Sequence, residues 1–313
     1  MFTRRQMMGA AAALSFLAST GAGVAQDLYI PLISKGFQHQ FWQAVKTGAD
    51  KAGQEMGVRV SFDGPDNETQ VDKQIDMLAA ALANKPAAIG IAALDSQAVI
   101  PLLKKAQAEG IPVIAFDSGV ESDIPLATAS TDNKAAAALA ADKLGEMIGG
   151  KGKVAVVAHN QTSLTGIDRR DGFLDQMKSR YPEVEVVAVE YGDGDHLKST
   201  EITKAILAAN ADIKGIFGTN EGSAVGVLNG VREMGAKVVV VGFDSGKAQK
   251  DAIREGVMAG AITQNPVGIG YETVKAAVAA SKGETLPKTI DTGFYWYDKT
   301  NIDDPAIAAV LYD

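Results

Sequence analysis

A segment of this chain occurs twice. Val113-Ile114-Ala115-Phe116-Asp117-Ser118-Gly119 returns, with one residue inserted, as Val239-Val240-Val241-Gly242-Phe243-Asp244-Ser245-Gly246, and the shared Phe-Asp-Ser-Gly endings lie 127 residues apart. Upstream, Ile91-Ala92-Ala93-Leu94-Asp95-Ser96 and Ile216-Phe217-Gly218-Thr219-Asn220-Glu221 stand at corresponding points, so Asp95 and Asn220 hold equivalent places. A repeat of this period means two copies of one folding unit. Within each copy, short apolar runs alternate with amphipathic stretches. In the first copy the pattern predicts strands over 28–33, 58–62, 88–93 and 113–116, with helices over 41–56, 71–83, 97–109 and 135–148. In the second it predicts strands over 154–158, 184–189, 215–218 and 238–242, with helices over 167–179, 198–209 and 223–234. Strands that alternate with helices in this way lie parallel and are covered on both faces. The predicted fold class is therefore α/β, two doubly wound Rossmann-like lobes with parallel sheets. At 313 residues the chain is long enough for both. No Ser/Pro-rich stretch separates the halves, so the crossover near Ser130 to Asn133 is expected to be short and ordered, giving hinged lobes rather than tethered beads.

In open parallel sheets, ligands bind beyond the carboxyl ends of the strands. Asp95, Asp117, Asn220 and Asp244 each follow an apolar strand. Such residues either cap the next helix or face a ligand. Four of them in two pseudo-symmetric pairs favour ligand contact. Carboxylates and amides suit a hydroxylated ligand, because they accept, or accept and donate, hydrogen bonds to neighbouring hydroxyls. The loop after the first strand, Ser34-Lys35-Gly36-Phe37-Gln38-His39-Gln40-Phe41-Trp42, gathers donors and three aromatic rings. An aromatic face can cover the C–H face of a sugar ring, although Phe41 and Trp42 could equally pack inward at a helix start. Arg169 opens the helix after the second lobe's first strand; its guanidinium could bridge two vicinal hydroxyls or pair with a neighbouring Asp on the surface. Gln264, followed by Asn265-Pro266, could face either a hinge or a ligand.

The N-terminus, Met1-Phe2-Thr3-Arg4-Arg5-Gln6 followed by an Ala-rich apolar run and Gly23-Val24-Ala25, has the layout of an export signal cleaved after Ala25. Its adjacent arginines fit a twin-arginine route or the basic region of an ordinary secretory signal. Removing its two arginines takes the net charge from −8 to −10, an acidic balance that argues against nucleic acid. The chain contains no Cys, which excludes disulfides, thiol catalysis and an N-terminal lipid anchor on Cys. His159 and His196 have no ligand partner at metal-binding spacing, so structural roles are expected and no metal site is predicted. There is no G-x-x-x-x-G-K-[ST] loop, no G-x-G-x-x-G after a strand and no G-x-S-x-G elbow, so no cofactor is expected either.

Taken together, these residues resemble the ribose-binding-protein group of periplasmic sugar-binding proteins that serve ABC transporters, the type I binding-protein fold. The likeness covers the whole mature chain. It is carried by Phe41-Trp42, Ile111-Pro112-Val113-Ile114-Ala115-Phe116-Asp117, Ser130-Thr131-Asp132-Asn133, Arg169 with Gly172-Phe173, Asn220-Glu221, Val241-Gly242-Phe243-Asp244 and Ile262-Thr263-Gln264. The resemblance implies sugar contacts at Phe41, Trp42, Asp117, Arg169, Asn220, Asp244 and Gln264, with capture by hinge closure. It also implies a three-stranded hinge, with crossings near Thr128 to Ser130, near Gln264 and near Ile290 to Thr292. The lobes would then comprise 26–129 with 265–290, and 130–264 with 291–313. Departures are Ala92-Ala93, where the group has an aliphatic-Asn-Pro, and Asp117-Ser118, where it has Asp-Arg. Lys35 and Asp117-Ser118 are similar instead to the autoinducer-2 and rhamnose-binding branch, which adds Ser118 to the candidates. The implied partners are a monosaccharide or sugar alcohol and the transmembrane permease of an ABC importer, for a monomeric periplasmic receptor. An enzyme on two such lobes would need a base with a positioned nucleophile, and a sugar-sensing repressor would need an N-terminal helix-turn-helix; neither is legible.

Overall fold

The structure, a computed structural model, describes residues 28–312; the expected export segment lies outside them. The first half of the chain runs through β1 (Tyr29–Ile33), α1 (Gln40–Met56), β2 (Arg59–Asp63), α2 (Val71–Ala83), β3 (Ile89–Ile91), α3 (Ile100–Ala108), β4 (Val113–Phe116) and β5 (Ala127–Ser130). The second half continues with α4 (Asn133–Met147), β6 (Lys151–Ala158), α5 (Leu164–Arg180), β7 (Glu183–Tyr191), α6 (His196–Ala209), β8 (Ile213–Gly218), α7 (Glu221–Met234), β9 (Val239–Phe243), α8 (Lys247–Glu255) and β10 (Gly260–Gln264). The chain ends with α9 (Pro266–Ser281), β11 (Thr289–Asp291), β12 (Phe294–Asp298) and α10 (Pro305–Ala308).

Two six-stranded sheets result. The first has the order β11-β5-β4-β3-β1-β2, parallel throughout. In the second, β12-β10-β9-β8-β6-β7, only the edge strand β12 runs antiparallel, against β10. The chain passes between sheets after β5, after β10 and between β11 and β12. Two of these crossings are helix starts with their own caps: Asp132 accepts from the Ala135 amide and Asn265 from the Gly268 amide, which opens the helix within two residues of the strand's end. Thr131 Oγ1 donates to Gly293 O at 3.3 Å, tying two crossings together.

Helices lie on both faces of each sheet, which is why β3, β4, β9 and β10 are buried nearly end to end. Phe116, Phe173, Phe217 and Phe243 are fully buried, each worth about 1.5–3 kcal/mol relative to exposure. After leaving the second sheet, α9 returns to pack on α1. The helices touch through glycines, since a Cβ on Gly48 or Gly270 would stand 1.9 Å from a carbonyl oxygen of the other helix. Helix α3 starts at Ile100 rather than 97; residues 97–99 form a turn ahead of Pro101, which occupies the first helical turn.

Candidate ligand-binding site

The carboxyl ends of the two sheets face each other, and their loops meet around a narrow cavity. From the first sheet's loops come Lys35, His39, Phe41, Trp42, Glu68 and Asp117. From the second come His159, Arg169, Asn220, Asp244 and Gln264. Asp117 and Asp244, the repeated aspartates, both have positive φ, 54° and 77°. That conformation is strained for a side chain with a Cβ, though Asp tolerates it better than most. It is held by strand pairing immediately past the strand end, the Asp117 amide donating to Ala129 O at 2.9 Å and the Asp244 amide to Ile262 O at 2.6 Å. The repeat thus encodes a backbone kink that turns a carboxylate into the cavity in each lobe.

The charges are paired across the site. Lys35 Nζ lies 3.0 Å from Asp117 Oδ2 and donates to Thr165 Oγ1 of the opposite lobe at 2.9 Å. Arg169 lies over the Phe243 ring at 3.8 Å and donates to Asn133 Oδ1 at 2.7 Å and Thr219 O at 3.0 Å, with Asp244 at 4.0 Å. Asp244 accepts from Gln264 Nε2 at 2.7 Å and from the Glu221 amide at 2.9 Å, and burial pushes its carboxyl up against the pull of Arg169. Gln264 Oε1 and both ring nitrogens of His39 are buried without a hydrogen-bond partner. Phe41 and Trp42 meet edge to face at 4.9 Å, and Lys35 Nζ sits 5.7 Å from the Trp42 ring centre. Burial also pushes His39 down, and His159 well down, so both imidazoles are neutral.

Three expected site residues lie elsewhere. Phe37 turns into the first lobe's core, edge-on to Phe62 at 5.9 Å. Asp95 accepts from the Gln97 and Ala98 amides and caps a turn. Its counterpart Asn220 also caps, accepting from Ser223, yet reaches the cavity. The difference is distance: Asn220 stands two residues past β8, whereas Ala92, Ala93 and Leu94 carry Asp95 away from β3, pinned there by the Gln74 amide on Ala92 O and the Leu94 amide. Ser118 is buried behind Asp117, its Oγ 3.5 Å from the Thr165 amide.

Two cavity residues were not anticipated. His159, expected to be structural, is hydrogen-bonded to Thr219 Oγ1 at 2.8 Å and also lines the cavity. It follows β6 directly, so the strand-end rule would have found it. Glu68 stands five residues past β2 in a turn-rich loop and carries no such signal. Its burial would raise the carboxyl, but the Lys35 charge and the Trp42 indole N–H at 2.8 Å outweigh that and hold it below its usual range. Glu68 is therefore an ionised carboxylate. A wider groove nearby, lined by Gln38, Asn67, Thr69 and residues 193–198, has mostly exposed walls and lacks the buried charged pairs.

No described helix is long and apolar enough to cross a membrane, and among the described residues no His/Cys/Asp/Glu group could hold a metal ion. Residues 30–285 match the family of the periplasmic binding protein domain; the chain belongs to this family, and it is a binding protein rather than an enzyme. Among its relatives, the ribose import binding protein of Haemophilus influenzae is 28% identical over 279 residues, 89% of this chain and 94% of that one. A carbohydrate transporter solute binding protein from Agrobacterium radiobacter, in complex with D-arabinose, is 36% identical and superposes with a TM-score of 0.89, covering 92% of this chain and 99% of the other. A solute binding protein from Agrobacterium vitis with bound α-D-tagatopyranose gives a TM-score of 0.88 at 33% identity, covering 91% and 99%.

Proposed function

We propose that this chain is the exported receptor of an ABC sugar importer, which closes its lobes over a neutral monosaccharide or sugar alcohol and presents it to a transmembrane permease. The carrying observation is the charge pattern of the cavity. Lys35 and Arg169 are each matched by a carboxylate and by oxygen acceptors, while Glu68 is left as an ionised acceptor beside the Phe41–Trp42 rings. Among the described residues lining the cavity no cation is free to receive an anionic ligand, whereas carboxylates, amides and aromatic faces suit hydroxyls and C–H groups. The sugars bound by the Agrobacterium proteins support the same reading. The ligand contacts proposed are Lys35, His39, Phe41, Trp42, Asp117, Arg169, Asn220, Asp244 and Gln264, with Glu68 and His159 added. Residues 1–25 would direct export and be cleaved after Ala25, by a secretory or twin-arginine route, leaving a periplasmic monomer.

A thermal-shift screen of pentoses, hexoses, deoxy sugars and alditols tests this. A matching sugar at a hundred times its Kd should stabilise the protein by about 2.7 kcal/mol. Asp244→Ala should abolish the rise while the unliganded protein still melts cooperatively, because that aspartate binds Gln264 and the Glu221 amide at the cavity wall rather than in a core. No response to any neutral sugar or polyol would overturn the reading. The Lys35–Asp117 pair facing the cavity is the reason to include rhamnose and autoinducer-2 in the same screen.

A further inference from the structure

Helix α1 begins without a cap of its own. His39 at the N-cap makes no side-chain hydrogen bond there, and the first turn holds no acidic residue. The first amides of a helix need acceptors. Here they come from the other lobe. Glu221, the first residue of α7, accepts from the Gln40 amide through Oε1 at 3.2 Å and from the Phe41 amide through Oε2 at 3.1 Å. The relation is reciprocal. Helix α8 has Gly246 as its N-cap, which offers no side-chain cap, and its first amide, that of Lys247, donates to Gln40 Oε1 at 2.7 Å. Glu221 is itself fixed, its amide donating to Asp244 Oδ2 at 2.9 Å and the Tyr312 hydroxyl donating to Oε2 at 3.4 Å. The turn so capped carries Phe41 and Trp42, and its N-cap is His39; all three line the cavity.

We propose that Glu221 is a positioning residue of the ligand site, a helix cap supplied in trans across the seam, so that closing the lobes and fixing the His39–Phe41–Trp42 platform are one event. This rests on the sugar-receptor reading and extends it to a residue that need not touch the sugar. When the lobes part, α1 loses its cap, its first turn frays and the platform loosens. When they meet, Glu221 and Gln40 each complete the other lobe's helix, and the ring positions become set relative to Asp244, to which Glu221 is tied.

Amide hydrogen exchange reads this at named positions, with D-arabinose and D-tagatose as probes. In the wild type, a saturating sugar should slow exchange at Gln40, Phe41 and Lys247 at least tenfold. In Glu221→Ala the slowing at Gln40 and Phe41 should vanish and the affinity should fall at least tenfold, with Glu221→Gln, which keeps an acceptor oxygen, in between. Gln40→Ala, a change at a partly exposed side chain, should remove the protection at Lys247 alone and lower affinity less; it carries the test if Glu221→Ala does not fold. Should Glu221→Ala bind like the wild type, or Gln40 and Phe41 stay protected in it, the trans cap is wrong and the sugar reading stands. Should neither sugar bind the wild type, the responder from the screen of pentoses, hexoses, deoxy sugars and alditols replaces them as probe, and if none responds both readings fall together.

Discussion

At the ends of β4 and β9 the same residue type is held in the same uncommon backbone conformation, and in both places its carboxylate meets a cation, Lys35 in one lobe and Arg169 in the other. Glu68 differs from both, because its one hydrogen-bond donor among the described residues is the Trp42 indole. A carboxylate that is buried, ionised and incompletely satisfied is a strong acceptor for a hydroxyl and repels a second anion. Glu68→Gln keeps an oxygen for Trp42 and removes the charge. It should weaken binding of the parent sugar about tenfold, in keeping with the roughly 1.5–3 kcal/mol of a charged hydrogen bond, and narrow the preference for that sugar over its uronic acid. Calorimetric titration of both ligands into both proteins decides it, and an unchanged ratio would reject a selective role. Asp117 and Asp244 were legible in the sequence because they repeat after recognisable strands. Asp95 was misread for the same reason, since the repeat marks equivalent positions and not the three residues that displace one of them. Glu68 was invisible because a buried acid in a turn looks like any solvated one.

At the level of elements, the helix starts at the seam carry groups whose protonation is linked to closure. Burial, and then repulsion by Asp244, raises Glu221 from 4.5 to about 7 with the lobes together; Tyr312 and the Gln40 and Phe41 amides act the other way. The cleft side of this group also holds His196, Lys247 and Asp251. A raised carboxyl means that the closed form holds the extra proton. The part of that burial which the other lobe supplies therefore favours closure fully below about 4.5 and loses its effect as pH rises through about 7. His39 has the opposite sign. Burial lowers it, opposed by Glu68 and Asp244 and assisted by Lys35 and by His196, whose ring stacks on it at 5.7 Å. Its contribution is present above its ordinary 6.5 and is lost on acidification. The two offset each other, so the wild-type profile should be shallow, while Glu221→Gln should lose affinity more steeply as pH falls from 7 to about 5. The ratio of wild-type to Glu221→Gln affinity should rise on acidification by at most tenfold per pH unit; a flat ratio would show that Glu221 does not change protonation on closure. Up to β9, strand and helix positions other than the short β5 were legible from apolar runs and their periodicity; α8, β10, α9, β11 and α10 were not assigned from the sequence. The antiparallel edge β12 was not, because Phe294-Tyr295-Trp296-Tyr297 is compatible with either direction, and the choice is made by β10, thirty residues upstream.

For the molecule as a whole, the repeat supplied two lobes, while the seam between them depends on contacts such as Lys35 to Thr165 and Glu221 to Gln40, which lie far apart in sequence and leave no local pattern. Gly194 shows how close the fit at that seam is. It stands in the loop between β7 and α6, and a Cβ added there would lie 3.0 Å from Asn220 Nδ2 of its own lobe, and 3.3 Å from Glu68 Oε2 and 3.4 Å from His39 Nε2 of the other. Its φ of 66° adds a penalty for any side chain that is independent of the lobes' separation. Gly194→Ala should therefore have two separable effects. The backbone penalty, on the order of 1 kcal/mol, should lower the melting temperature of the unliganded protein slightly, since the hydrophobic clusters of each lobe do not include this loop. The contacts with Glu68 and His39 should act only when the lobes meet, lowering sugar affinity at least tenfold and reducing the compaction that small-angle scattering detects on adding sugar. If the variant loses melting temperature but binds and compacts like the wild type, then Asn220, Glu68 and His39 can yield around a methyl group, and the seam is looser than these distances indicate.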